Sequence, residues 1–148
     1  MSLLRALFAP TPPRLTGPDA RLALAALLVR VARSDGHYAA AEVAHIEAIL
    51  KVRHGLSDTA TAYLRVEAEA VEAEAPDTVR FTRALKSAVP LEDRTALVEA
   101  LWTVALADGT RDAGEDRMLR LVANLLGLTD VESAQARQRV ASQRVARR

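Results

Sequence analysis

Apolar residues along this chain fall in blocks with helical spacing, and Gly or Pro closes each block. From Leu22 to Val29 every position is apolar. A helix there has no polar face and belongs in the centre of a fold. It starts at Thr16-Gly17-Pro18, with Pro in the first turn, and runs to about Arg33. Asp35-Gly36 stops it, because Gly readily takes the left-handed backbone that ends a helix. A second helix from about Ala40 carries the stripe Val43, Ile46, Ile49 and Leu50 and ends at Gly55. Ser57 or Asp58 caps a third, with Ala60, Leu64, Ala68, Val71 and Ala75 as its buried stripe. Pro76 breaks the chain, Asp77 caps a short helix through Phe81, Leu85 and Val89, and Pro90 breaks it again. The next helix, about Glu92 to Ala107, is apolar nearly all round, and Asp108-Gly109 ends it. Met118, Leu121, Val122 and Leu125 stripe a sixth helix that Gly127 closes, and Thr129-x-x-Glu132 is the capping box of a last one.

The pattern occurs twice. Each half reads buried helix, Asp-Gly turn, amphipathic helix, then Gly-Leu-Ser/Thr-Asp, as Gly55-Leu56-Ser57-Asp58 and Gly127-Leu128-Thr129-Asp130. The Asp-Gly pairs are 73 residues apart, and in both a Glu follows the Asp by seven residues: Asp35 with Glu42, Asp108 with Glu115. The expected fold is all-α: a single-domain bundle of about seven helices built from two related hairpins, with the two buried helices packed together. Residues 1–17 form an N-terminal arm and Pro-rich linker, and residues 18–148 the helical domain. Leu3, Leu4, Leu7 and Phe8 would share one face of a short helix in that arm, for docking on the body or for a peripheral membrane or partner contact.

Composition narrows the functions. Ala, Leu, Glu and Arg dominate and aromatics make up only 3%, which suits helices. The chain has no Cys, and so no disulfide, thiol nucleophile or thiolate metal site. No apolar run is long enough to span a bilayer, and the start is a poor secretory signal, so a cytoplasmic location is expected. Net charge is +1; Arg137, Arg139, Arg144, Arg147 and Arg148 give +5 to residues 133–148, leaving −4 for the rest. A globally neutral protein with a basic tail is not a nucleic-acid binder by its charge, and the tail reads as a solvated last helix. Glu67, Glu69, Glu72, Glu74 and Asp77 make an acidic outer face on the third helix. There is no Gly-rich phosphate loop, Gly-x-Ser-x-Gly or His-Glu-x-x-His, so no enzyme is expected.

The long apolar helix into Asp-Gly, the Glu seven residues on, and the second copy at Leu101-Trp102-Thr103-Val104-Ala105-Leu106-Ala107-Asp108-Gly109 resemble the tellurite-resistance TerB-like family. The same superfamily includes the N-terminal domain of the DjlA co-chaperone. The resemblance covers about residues 19–131. It implies an all-helical bundle of about seven helices, a small cytoplasmic protein linked to tellurite resistance and chemical stress, metal binding through acidic residues, and a scaffold role near membrane complexes. It implies no catalytic activity.

The acids at the turns suit a hard cation, Ca²⁺ or Mg²⁺ ahead of Zn²⁺, because such ions take oxygen ligands. Asp108, Thr110 and Asp112 alternate like the start of an EF-hand loop, but the twelve-residue loop is not completed. The expected ligands are Asp108, Asp112 and Glu115, with Asp35 and Glu42 as repeat counterparts. Asp112-x-x-Glu115 is equally the pattern of an N-terminal cap. Glu42-x-x-His45 places two ligand types on one helix face but has no matching pair elsewhere. Besides a stress-response or scaffold module, two readings stand: an interaction module using the acidic helix 58–77 or the arm without metal, and an unrecognised hydrolase. A protein partner is expected in the first two.

Overall fold

The computed structural model describes residues 17–34, 36, 38–75, 77–107 and 113–146, and the side chains of residues 20–143 among these except 113–115. The expected arm lies outside the described residues. Among them stand seven helices and no strand: α1 Gly17–Arg33, α2 Ala40–His54, α3 Asp58–Glu74, α4 Val79–Ala88, α5 Leu91–Ala105, α6 Ala113–Leu125 and α7 Asp130–Ala146. The expected all-α bundle is therefore the fold, and its first described helix starts at Gly17. No helix among the described residues is long and apolar enough to cross a membrane.

Helix α1 is the centre. Every residue from Leu22 to Val29 is at most 1% exposed, and Val31 and Ala32 are equally buried. A helix with no polar stripe has to be covered on all sides, and α1 packs against α2, α3, α4, α5 and α6. Each fully buried Leu or Val contributes roughly 1.5–3 kcal/mol. Ala23, Ala25 and Ala26 contribute little area, but small side chains let neighbouring backbones approach closely.

The repeat is visible in the packing. In the first half α1 packs on α2 and α3, and in the second α5 packs on α6 and α7. Across the halves α1 meets α5 and α6, while α2 meets α5. Helix α4 lies between the units, against α1 and α6, and has no counterpart. Helix α5 is less central than α1. Its burial begins at Leu97, whereas Leu91, Glu92 and Asp93 are exposed.

Two stripes differ from the sequence reading. In α3 the buried face begins at Thr61, not at Ala60, which is exposed. The Thr61 hydroxyl donates to Ser57 O (2.8 Å), so it enters the interior satisfied. In α6 the core positions are Leu119, Val122 and Ala123, followed by Leu126 just past its end, and Leu121 is 48% exposed. Neighbouring apolar residues fit the helical period in more than one phase, and contact with α1 and α5 selects one.

The helix ends follow their sequence signals. Ser57 caps α3 by accepting from Ala60 N–H (3.1 Å). Thr129 and Glu132 make the expected reciprocal box: Thr129 N–H donates to Glu132 Oε1 (2.9 Å), and Glu132 N–H to Thr129 Oγ1 (3.1 Å). These bonds hold the Glu132 carboxyl below its usual range. Gly127 closes α6 with φ of +89°. A Cβ there would lie 3.3 Å from Arg94 Nη1, the atom that donates to Leu126 O. Gly127 is thus favoured by its left-handed backbone, and a side chain there would also crowd the Arg94 guanidinium.

Candidate functional site

The first Asp-Gly turn leaves α1 through Ser34, whose N–H and hydroxyl both donate to Val31 O (3.2 and 2.7 Å). Gly36 takes φ of +85° and donates to Arg33 O (3.0 Å). Asp35 lies outside the described residues. Glu42 stands at the third position of α2 and is 5% exposed. Its Oε1 accepts the N–H of Ala39 (3.2 Å). Ala39 has no side-chain acceptor, so this reach-back supplies the half of a capping box available here. Glu42 is therefore a capping residue. His45, three residues on, is exposed while Glu42 is buried, so the pair does not converge on one site.

At the second turn Leu106 N–H donates to Trp102 O (2.9 Å) and Ala107 N–H to Val104 O (3.2 Å). Asp108, Thr110 and Asp112 lie outside the described residues. Helix α6 begins at Ala113, which puts Glu115 at its third position, but that side chain is not among those described. Of the five expected ligands, only Glu42 thus has a described side chain. No group of three or more His, Asp or Glu side chains suited to a metal occurs among the described residues.

Beside the first turn runs a polar network absent from the sequence reading. Arg30 occupies the last turn of buried α1. Its Nε donates to Glu72 Oε2 (3.0 Å), and its Nη2 donates to Glu72 O (3.0 Å) and Ala75 O (2.8 Å). The last carbonyls of α3 have no intrahelical partner, and this guanidinium satisfies two backbone carbonyls at that end while lying 5.4 Å from the Phe81 ring centroid. Arg33 Nη1 donates to the other Glu72 oxygen (2.7 Å) and stacks over Tyr38 at 5.0 Å. The Tyr38 hydroxyl donates to Glu69 Oε2 (2.6 Å). Burial first, then this bond and the Glu69 charge, push the phenol up, so it stays a donor. Arg65 links Glu69 (2.8 Å) to Glu47 on α2 (2.7 Å). The chain of contacts from Arg30 to Glu47 ties α1, α2, α3 and the turn together.

The expected acidic outer face on α3 is corrected by this network. Glu72 is 9% exposed between two arginines, and Glu69 is engaged by Tyr38 and Arg65. Only Glu74 and Asp77 of the run are exposed. The reason is long-range: Arg30 lies 42 residues from Glu72, where local charge patterning carries no information. A signal did exist. A cation at the end of an all-apolar helix requires a buried acceptor.

In the second half Arg94 does what Arg30 does in the first. Its guanidinium donates to Val89 O (3.0 Å), Lys86 O and Leu126 O (both 3.2 Å), gathering the ends of α4 and α6. Trp102 Nε1 donates to Ser133 Oγ (3.3 Å), and Arg137 lies 5.8 Å from the Trp102 ring centroid. The basic tail is thus partly engaged, with Arg139 3.5 Å from Glu99.

His54, at the end of α2, has a buried Nε2 without a partner. Burial first, then Arg21 and Arg53, push its pKa down from about 6.5 to about 4. A helix C-terminus favours the protonated form by up to about 1 kcal/mol, less than one pH unit. Desolvation wins, and the imidazole is neutral.

Seven helices in two similarly packed halves, with a buried helix leading into an amphipathic one in each, define a class of all-helical module. The family model described as "Tellurite resistance protein TerB" matches residues 21–138, and the chain belongs to the TerB family. Comparison with curated proteins found no match, and comparison with solved structures found none.

Glu72→Ala is expected to cost about 3–5 kcal/mol, because it strands two partly buried guanidinium groups. Thermal unfolding is then lowered on the order of 10 °C, whereas Glu74→Ala, on the exposed side of the same helix, shifts it little. Equal shifts for the two variants refute the internal role of Glu72.

Because the folded state holds His54 neutral, it binds fewer protons than the unfolded chain between pH 6.5 and 4. His54's contribution is therefore complete above pH 6.5 and is lost as pH falls toward 4. Urea midpoints of wild type and His54→Leu should diverge across that window, the variant losing less. Parallel losses would remove His54 as an acid-sensitive position.

Proposed function

We propose that this TerB-family chain is a non-enzymatic scaffold module that works by presenting a surface. The observation that carries this reading is the exposed apolar face of α3, where Tyr63 is 74% and Val66 54% exposed. Large apolar side chains grouped in solvent mark interaction surfaces. By contrast, most described groups that resemble chemistry serve the frame. Arg30, Arg33, Arg65 and Arg94 bind helix ends or carboxylates, and Glu42, Glu69 and Glu72 are bonded in turn. The cytoplasmic setting and the link to chemical stress belong to the same proposal and rest on the family. A role in tellurite resistance rests on the family's name alone. The acidic helix 58–77 enters this reading through its apolar face, since Glu72 is buried and Glu69 is engaged by Tyr38 and Arg65.

A divalent cation at the turns is the second reading, with Asp35 and Glu42 or Asp108, Asp112 and Glu115 as ligands. It is favoured by the burial of Glu42 beside a turn that α1 and α2 close from both sides.

Purified wild type used as bait in host lysate should retain a stoichiometric partner that Tyr63→Lys/Val66→Lys fails to retain at unchanged melting temperature. Retention by the double variant would count against the α3 surface. For the cation, calorimetric titration of chelator-treated protein with Ca²⁺, Mg²⁺, Mn²⁺ and Zn²⁺ should give saturable heat that Asp108→Ala abolishes. No heat with any ion assigns the turns to capping alone.

A further inference from the structure

The face that presents Tyr63 borders a groove of about 510 Å³, lined by Leu56, Ala60, Tyr63 and Leu64 with Arg21 and Glu67. Its size falls within the range of roughly 300–1,000 Å³ found for sites that bury small ligands. The wall is mainly apolar, with one acid and one base among its lining residues. From the position of this groove we infer that the chain's own segment Leu3–Phe8 is its occupant, so that the surface proposed above carries an internal ligand. The inference rests on that surface being a binding face and adds what fills it.

Three observations select this occupant. The first is origin. Arg21 lines the groove and lies four residues into α1, which starts at Gly17. At 1.5 Å per helical residue, the chain preceding α1 leaves within about 6 Å of it along the helix axis. The second is reach. Eight residues lie between Phe8 and Gly17, and the nine Cα–Cα steps span up to about 30 Å, enough to return along α3. Pro10, Pro12 and Pro13 stiffen this linker, which lowers the entropy lost on docking. The third is chemistry. Leu3, Leu4, Leu7 and Phe8 stand at the spacing of one helical face, and residues 1–16 carry Arg5 and Arg14 and no acid. An amphipathic segment therefore meets a mainly apolar groove whose lining holds one acid, Glu67, and one base, Arg21.

Tethering decides between this segment and a free one of like composition. A short linker holds its end at an effective concentration on the order of millimolar. An external helix would have to exceed that figure or bind better. The arm thus sets the threshold a partner must pass to reach Tyr63.

The chain has no Cys, so engineered pairs report position cleanly. Full-length Leu7→Cys/Ala60→Cys at low micromolar concentration should close an intramolecular disulfide under mild oxidation. It should do so at least tenfold faster than Leu7→Cys/Val131→Cys, where Val131 is an exposed position on α7. Adding Leu4→Asp and Phe8→Asp to the 7/60 chain keeps the tether and removes the apolar face; closure should then slow at least tenfold. An unchanged rate would mean that proximity alone drives closure, and overturns docking. Disulfide-linked dimers in place of closed monomers would make a second copy the occupant, and overturn it too. Neither failure touches the partner-capture result, which reads the α3 face and not the arm.

Discussion

The structure depends on one constraint: α1 has no polar side. A helix apolar on every face gains burial energy only if protein surrounds it, and here five helices do so. That gain meets its limit at Arg30, where the helix must end and its guanidinium is held near the interior. The charge is tolerated because one carboxylate and two carbonyl oxygens accept from it. Those carbonyls belong to the end of α3, so closing one helix and neutralising another are the same set of bonds. Removing Glu72 would therefore damage two helix ends at once, and a buried pair broken on one side costs more than it contributes intact.

The two halves use one topology with different chemistry at the same place. Arg65 and Arg137 are 72 residues apart, the spacing of the Gly-Leu-Ser/Thr-Asp segments. In the first half Arg65 lies between Glu47 and Glu69. In the second, Ala141 stands 72 residues after Glu69, and Arg137 lies over Trp102 with its Nε buried and without a partner. An ion pair in one repeat has become a ring contact in the other. The fold accepts either because the backbone frame depends on apolar packing and caps, which are common to both halves.

Much of this frame was legible in the sequence because its signals are local. Gly36, Gly55 and Gly127 all take positive φ where they close helices, and Ser57 and Thr129 cap where they should. The phase of a stripe was less legible. Leu121 and Val122, or Ala60 and Thr61, satisfy the helical period equally, and only tertiary contact distinguishes them. Least legible was the fate of charge. Glu67, Glu69, Glu72 and Glu74 look alike in a row, yet Glu72 is buried and Glu74 exposed. What separates them is the arrival of Arg30 and Arg33 from another helix, a fact of topology.

The Asp-Gly motif itself shows why family and reaction come apart here. Its Glu stands at the third position of α2 and of α6, and Glu132 holds that position in α7, which no Asp-Gly turn precedes. In α2 and α7, where the side chain is described, the carboxylate accepts the N–H three residues back. A feature that recurs at a helix start without the Asp-Gly is explained by capping first. The motif identifies the TerB fold because that fold needs a buried helix stopped and an amphipathic one started within a few residues, twice. A cation at those turns would be an addition to this structural task. The surfaces free of it, above all α3 around Tyr63, are where this chain can differ from others of its fold.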